Sequence, residues 1–221
     1  MSGADPGALK RLMAEIAEDT SRTAGETGRS ELSPSVLGAM MDVPRQQFVP
    51  AGEAASAFDN RPLPIGHGQT ISQPFVAALM TELLDIGPGD KVLELGTGSG
   101  YQTAVLAHLG ASVYSLEIIP QLADAAAKRL ARLGHKNVHL QTAQGWDGWP
   151  SEAPFDAILV TAAAVRTPPA LIHQLKPGGR LIVPIGEPGG HQMLMRIVKT
   201  EDGGFEEERI LSVAFVPLVQ D

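Results

Sequence analysis

The sequence predicts an α/β fold: a doubly wound, mostly parallel seven-stranded sheet with an antiparallel strand pair at its C-terminal end. Three observations carry this. From Lys91 onward short apolar runs alternate with helical segments, which implies parallel crossover units and a sheet covered on both faces. The first of these runs leads straight into a glycine-rich turn. The last two, separated by Glu201-Asp-Gly-Gly204, read instead as a strand pair joined by a turn.

At the N-terminus, Leu9, Leu12, Met13 and Ile16 recur at helical spacing and predict a short amphipathic helix over 8–19. Residues 20–33, rich in Ser, Thr, Gly and Glu, read as a polar connection. A second helix is expected over 36–41, stopped before Pro44. Residues 1–35 are thus expected to form a helical cap and polar linker on a main domain of residues 36–221. Within that domain, strands are expected at 92–95, 112–116, 138–141, 157–160 and 181–184, with helices at 101–109, 120–133 and 168–174. In the second of these helices Leu122, Ala126, Leu130 and Leu133 make one apolar stripe, and Asp124 and Lys128 an i,i+4 pair on the polar side. Strands at 193–198 and 210–216 complete the sheet, and Glu206-Glu-Glu208 reads as a solvated face.

The chain has 221 residues, which at about 150 residues per domain indicates one domain with a modest appendage. Its 17 Lys+Arg against 25 Asp+Glu give a net charge of −8, and there is no Lys/Arg stripe, so nucleic acid is not expected as a partner. A composition 43% hydrophobic and 19% charged excludes a wholly disordered chain. The absence of cysteine removes disulfide scaffolds, thiolate zinc sites and cysteine nucleophiles, and fits a reducing cytoplasm. No apolar run approaches the roughly 18 residues of a membrane span, and Met1 to Lys10 lacks a signal peptide's apolar core, so no membrane association is expected. His135 and His139 are four apart, but a strand is expected to begin between them, so they cannot share a helix face as zinc ligands. No metal is expected, and a monomer is favoured.

The most informative stretch is Lys91-Val-Leu-Glu-Leu-Gly-Thr-Gly-Ser-Gly-Tyr101. Glycines at a strand-to-helix turn let the backbone fold tightly and let a ligand approach the main chain, and the following helix offers free N–H groups. Glu117 ends the next expected strand, where its carboxylate can accept both ribose hydroxyls of an adenosine cofactor. A dinucleotide fingerprint is G-x-G-x-x-G, whereas Gly96, Gly98 and Gly100 are spaced G-x-G-x-G with Glu94 two residues before them. That pattern favours S-adenosylmethionine over a nicotinamide cofactor. A tight turn with no ligand is the bland alternative.

Upstream, Phe58-Asp-Asn-Arg-Pro-Leu-Pro-Ile-Gly-His-Gly-Gln-Thr-Ile-Ser-Gln-Pro74 closely resembles the signature region of the protein-L-isoaspartate O-methyltransferases. The resemblance continues through Val43-Pro-Arg45, Phe48-Val-Pro50, the glycine loop, Ala153-Pro-Phe-Asp156, Val160-Thr-Ala-Ala163, Leu175-Lys-Pro-Gly-Gly-Arg-Leu181 and Phe215-Val-Pro-Leu218, covering roughly residues 36–219. It implies a Rossmann-like, class I S-adenosylmethionine-dependent methyltransferase that initiates repair of damaged proteins and peptides. The methyl group would pass to the free α-carboxylate of L-isoaspartyl residues, and the ester would close to a succinimide. By this resemblance Ser72 matches the active-site serine, and Thr70, Ile71 and Gln73 flank the methyl-transfer centre. Gly96, Thr97, Gly98 and Gly100 match the loop at the methionine end, and Glu117 the ribose ligand. Ala143-Gln144-Gly145 departs from the usual Gly-Asp-Gly. Glutamine at 144 keeps an acceptor for the adenine amino group and adds an NH₂ donor, without the charge. Phe58 and Asn60 replace the commoner tyrosine and aspartate. Phe215-Val-Pro-Leu218 is implied as a final strand covering the cofactor.

The chemistry asks for little more. An α-carboxyl ionises at roughly pH 3.3–3.7, so the nucleophile is already charged and no general base is required. Alignment and desolvation should carry catalysis, consistent with a sequence that shows no catalytic dyad. Ser72 then reads as a positioning hydrogen bond, or as the N-cap of the helix that its Gln-Pro neighbours introduce. His67 reads as a loop residue. Trp146 and Trp149 read as core or lid aromatics, with Trp146 bordering the adenine as an alternative. Other functions remain open here: carboxyl methylation of an aspartyl residue in one dedicated peptide precursor, a tRNA base methyltransferase, or a non-catalytic module that binds isoaspartyl residues or cofactor.

Overall fold

The structure is a computed structural model describing residues 6–219; the first five residues of the expected cap and the last two of the expected domain lie outside the described residues. Three helices come first, α1 (Pro6–Arg22), α2 (Ala24–Thr27) and α3 (Pro34–Asp42). A two-stranded antiparallel sheet follows, β1 (Leu63–Gly66) and β2 (Gln69–Ile71), then α4 (Pro74–Leu84). The alternating part is β3 (Lys91–Leu95), α5 (Tyr101–His108), β4 (Ser112–Glu117), α6 (Pro120–Arg132), β5 (Val138–Thr142), β6 (Phe155–Val160), α7 (Pro169–His173) and β7 (Leu175–Gly186). Strands β8 (Gln192–Lys199) and β9 (Phe205–Val213) close the sheet.

The seven-stranded sheet has the order β5-β4-β3-β6-β7-β8-β9. The first five strands are mutually parallel, and β7–β8 and β8–β9 pair antiparallel, as the sequence pattern predicts. Chain order reverses between β3 and β6, the switch point where a crevice opens beyond the strand ends. Both faces are covered. Val92 of β3 joins the core cluster that contains α3, α4 and α5, whereas Leu93 and Leu95 join the cluster that contains α7. Alternate residues of one strand thus feed opposite layers, as a doubly wound sheet requires.

Three expectations need correction. Residues 20–33 are not simply a polar connection: α1 runs to Arg22, and Ala24–Thr27 forms another helical turn. Thr20 and Thr23 donate their hydroxyls at 2.8 Å to the carbonyls of Ile16 and Asp19, so polar residues are satisfied inside the helix. Secondly, β9 begins at Phe205 and takes in the acidic run; cross-strand pairing of Glu208 with Arg196 places that exposed run on a strand. Thirdly, β9 stops at Val213, and the last segment leaves the sheet to bridge Ala163 through Pro217. The β1–β2 hairpin is new relative to the sequence pattern; His67 and Gly68 turn it with φ of 54° and 72°.

Candidate active site

A cleft opens at the switch point, where sheets of this kind place their ligands. Gly96 and Gly98 line it from the turn after β3, Glu117 with Ile118 and Ile119 from the end of β4, and Thr161 from the end of β6. Leu116 and Ala143 make apolar wall, with Gly145 beside them. Val216, Pro217, Leu218 and Val219 supply the remaining side. That segment is tied down where Ala163 donates its N–H to the Val216 carbonyl at 2.8 Å and Leu218 donates to the Ala163 carbonyl at 2.7 Å.

The glycine loop has a defined reason at each end. Gly96 has φ of +95°, and a Cβ there would overlap the Thr161 hydroxyl. That hydroxyl donates to the carbonyls of Leu95 and Gly96 at 3.0 and 2.7 Å, locking the turn. Gly100, φ +84°, faces Ala126 and Leu130 of α6, so its lack of a side chain serves helix packing and it is not in the cleft wall. Between them, the Gly98 N–H donates to Glu117 Oε2 at 2.7 Å, and the Ile119 N–H to Oε1 at 3.0 Å. Glu117 is thus fixed by the main chain while its remaining lone pairs stay available to ribose hydroxyls.

Behind the loop lies a buried polar network. Thr97 and Ser115 share a hydroxyl–hydroxyl bond of 2.6 Å. Glu94 Oε2 accepts from Ser115 at 2.6 Å and from Thr103 at 2.5 Å, and its Oε1 has no partner. Complete burial pushes the Glu94 carboxyl up to about 7, against those two hydroxyl bonds that lower it. Glu94 therefore supports the loop from beneath and is absent from the cleft wall.

On the other side, an open groove of about 500 Å³ runs past Thr70, Ser72, Gln73 and Phe75, between Asp19 and Arg22 of α1 and the stretch from Leu211 to Phe215. A small hollow lined by Thr70, Ile71, Ser72, Gly96, Thr97 and Gly98 joins groove and cleft. Thr70 lines all three. The sequence-predicted residues 70–73 thus stand where the two openings converge. Ser72 does not cap α4, however. The cap position is Gln73, and the Phe75 N–H is taken at 3.1 Å by Asn60 Oδ1, fifteen residues upstream of it. Gln144 is exposed and outside the cleft wall, between two residues that line it, and Trp146 packs with Trp149 against the second core cluster. Thr161 and Ser115 went unmarked as site residues in the sequence. The signal for Thr161 is its position directly after an expected parallel strand, where such sheets place their ligands.

The described residues contain no cluster of three or more potential metal ligands, and none of their helices is long and apolar enough to cross a membrane.

Residues 26–221 match the family model "Protein-L-isoaspartate(D-aspartate) O-methyltransferase". The chain is 54% identical over 211 residues to protein-L-isoaspartate O-methyltransferase 2 of Syntrophobacter fumaroxidans, covering 96% of this chain and 85% of the relative. It is 53% identical to the protein of the same name from Polaromonas sp., covering 94% and 98%. Among solved structures it resembles a Plasmodium falciparum protein-L-isoaspartate O-methyltransferase in complex with S-adenosyl-L-homocysteine, at TM-score 0.76 and 27% identity, covering 94% of this chain and 98% of that one. By sequence and by fold, this chain belongs to the protein-L-isoaspartate(D-aspartate) O-methyltransferase family.

Proposed function

We propose that this protein methylates the free α-carboxylate of L-isoaspartyl residues in damaged proteins and peptides, with S-adenosylmethionine as methyl donor. The observation that carries the reading is the convergence of the switch-point cleft and an open groove at Thr70 and Ser72. The cleft fits the donor: Glu117 offers a carboxylate for the ribose, apolar residues flank the space for a planar base, and Gly96 and Gly98 leave the main chain approachable. When bound, S-adenosylmethionine supplies a sulfonium methyl that a carboxylate oxygen takes, leaving S-adenosylhomocysteine and a methyl ester.

The chain's own residues then orient and desolvate. We assign Ser72 the positioning of the carboxylate, with Thr70, Ile71 and Gln73 around it. Thr97 is assigned to the methionine end of the cofactor, and Gln144 and Gly145 to its adenine end. Glu94 and Gly100 act indirectly, through the shape of the loop. No proton has to move, because the acceptor is ionised at neutral pH. We take residues 36–221 as the methyltransferase domain and residues 1–35 as a cap on it, whose Leu12 and Ile16 pack into that domain's core. The cysteine-free composition supports a cytoplasmic setting, and a monomer with one site is the simplest assembly.

The test is methyl transfer from labelled S-adenosylmethionine to matched peptides that differ only in an isoaspartyl or aspartyl linkage. Base-labile label in the isoaspartyl peptide alone is expected. Equal labelling of both, or none, contradicts the reading.

A further inference from the structure

The motif Val43-Pro-Arg45 with Phe48 lies outside the cleft, yet it contains the most completely buried cation among the described residues. Arg45 is 1% exposed. Its Nη2 donates to the Ser72 carbonyl at 2.7 Å and its Nε to the Ala57 carbonyl at 3.0 Å. Its Nη1 has no partner, and none of the ion pairs among the described residues includes it. Burying a guanidinium without a carboxylate is costly, and an apolar side chain of similar volume would serve packing better.

Arg45 also stands at one end of a stack. Its guanidinium carbon lies 4.9 Å from the ring centre of Tyr101, the first residue of α5 after the glycine loop. Phe48 meets Tyr101 edge-on at 5.5 Å, and Arg129 lies 5.8 Å from the Phe48 ring. At its far end Arg129 donates Nη1 to the Ser99 carbonyl at 2.7 Å. The stack Arg45–Tyr101–Phe48–Arg129 therefore has two cationic ends, one holding the residue placed on the acceptor and the other holding the cofactor loop.

We infer that Arg45 is a positioning residue for methyl transfer: through the stack with Tyr101, Phe48 and Arg129 it fixes the Ser72 main chain relative to the glycine loop, and so sets acceptor oxygen against donor methyl. This rests on the methyl-transfer reading above. It also gives the Arg45–Phe48 motif a task that core packing alone does not supply. In-line displacement is sensitive to small misplacements, so a clamp spanning both loops acts on turnover rather than on binding of either ligand alone.

The test uses the full chain, with kcat on an isoaspartyl peptide, calorimetric binding of S-adenosylhomocysteine, and thermal melting. Arg45→Lys keeps the charge but cannot span two carbonyls with a planar fork. It is expected to lower kcat about tenfold or more, the worth of a charged hydrogen bond, while the S-adenosylhomocysteine Kd stays within about twofold. Arg45→Ala is expected to lose at least as much kcat as Arg45→Lys with the same small change in Kd, whereas a purely structural role would lower melting temperature and leave kcat of the folded fraction unchanged. Arg129→Gln, at the half-buried end, is expected to lower kcat about threefold or more at saturating donor, while the S-adenosylhomocysteine Kd stays within about twofold. An active wild type with an equally active Arg45→Lys overturns the inference alone; an inactive wild type overturns the methyl-transfer reading and this inference with it. If variants at 45 do not fold, Arg129→Gln decides: an unchanged kcat overturns the stack.

Discussion

Asn60 Oδ1 accepts the main-chain N–H of Phe75 at 3.1 Å, and so closes the head of α4 beside Ser72. The same side chain donates Nδ2 to Asp19 Oδ2 at 2.8 Å, which ties α1 to that helix end. Capping is thereby separated from Ser72, the residue proposed to position the substrate carboxylate. Asn60→Ala is expected to cost about 1 kcal/mol, the usual loss of a helix cap, in chemical denaturation. Ser72→Ala is expected to leave stability nearly unchanged and to lower kcat about tenfold or more, with far less effect on cofactor binding. Equal destabilisation by both, with normal turnover in Ser72→Ala, would restore Ser72 as a cap.

Glu94 carries a pH signature. Its folded-state pKa is raised to about 7 from an ordinary value of 4.5, chiefly by burial. Between those values the folded state holds a proton that the unfolded state has released, so stability falls as pH rises through this window. The contribution is fully present below the unfolded value and is lost above about pH 7. Glu94→Gln removes the titration, so its stability relative to wild type should rise by up to about 3 kcal/mol between pH 4.5 and pH 8. Denaturant melts of both proteins at the two pH values read this difference directly, and a pH-independent difference would contradict it.

Glu117 holds the Gly98 and Ile119 amides while facing the cleft. Glu117→Ala should therefore weaken S-adenosylhomocysteine binding about tenfold to a hundredfold, the range for charged hydrogen bonds, as read by calorimetry. Retained affinity would move the ribose elsewhere.

Gln144 is expected to recognise adenine without the charge-assisted component that an aspartate would bring. Gln144→Asp should tighten S-adenosylhomocysteine binding by about threefold to tenfold. Weaker binding in that variant would show that the glutamine holds another role.

What was legible in the sequence was local. The five parallel strands and the glycine loop declare themselves within windows of a few residues, because apolar runs and turn glycines are short-range signals. Glu117 follows from strand spacing alone. Long-range partners are not legible in this way. Thr161 locks Gly96 across 65 positions, Arg45 reaches Ser72 across 27, and Asn60 takes the cap that Ser72 appeared placed to fill. The helical run through Thr20 and Thr23 was hidden because hydroxyls that bond back to helix carbonyls have the composition of a loop. Glu94 counts in the sequence only as part of the cofactor-loop pattern; the fold places it fully buried beneath that loop.

A crystal structure with S-adenosylhomocysteine and an isoaspartyl peptide bound together tests the junction most directly. The cofactor should occupy the space between Gly96 and Glu117, with its sulfur toward Thr70, and the peptide's free α-carboxylate should meet it beside the Ser72 hydroxyl. A peptide carboxylate held away from the sulfur, or a cofactor seated outside that space, would contradict the account.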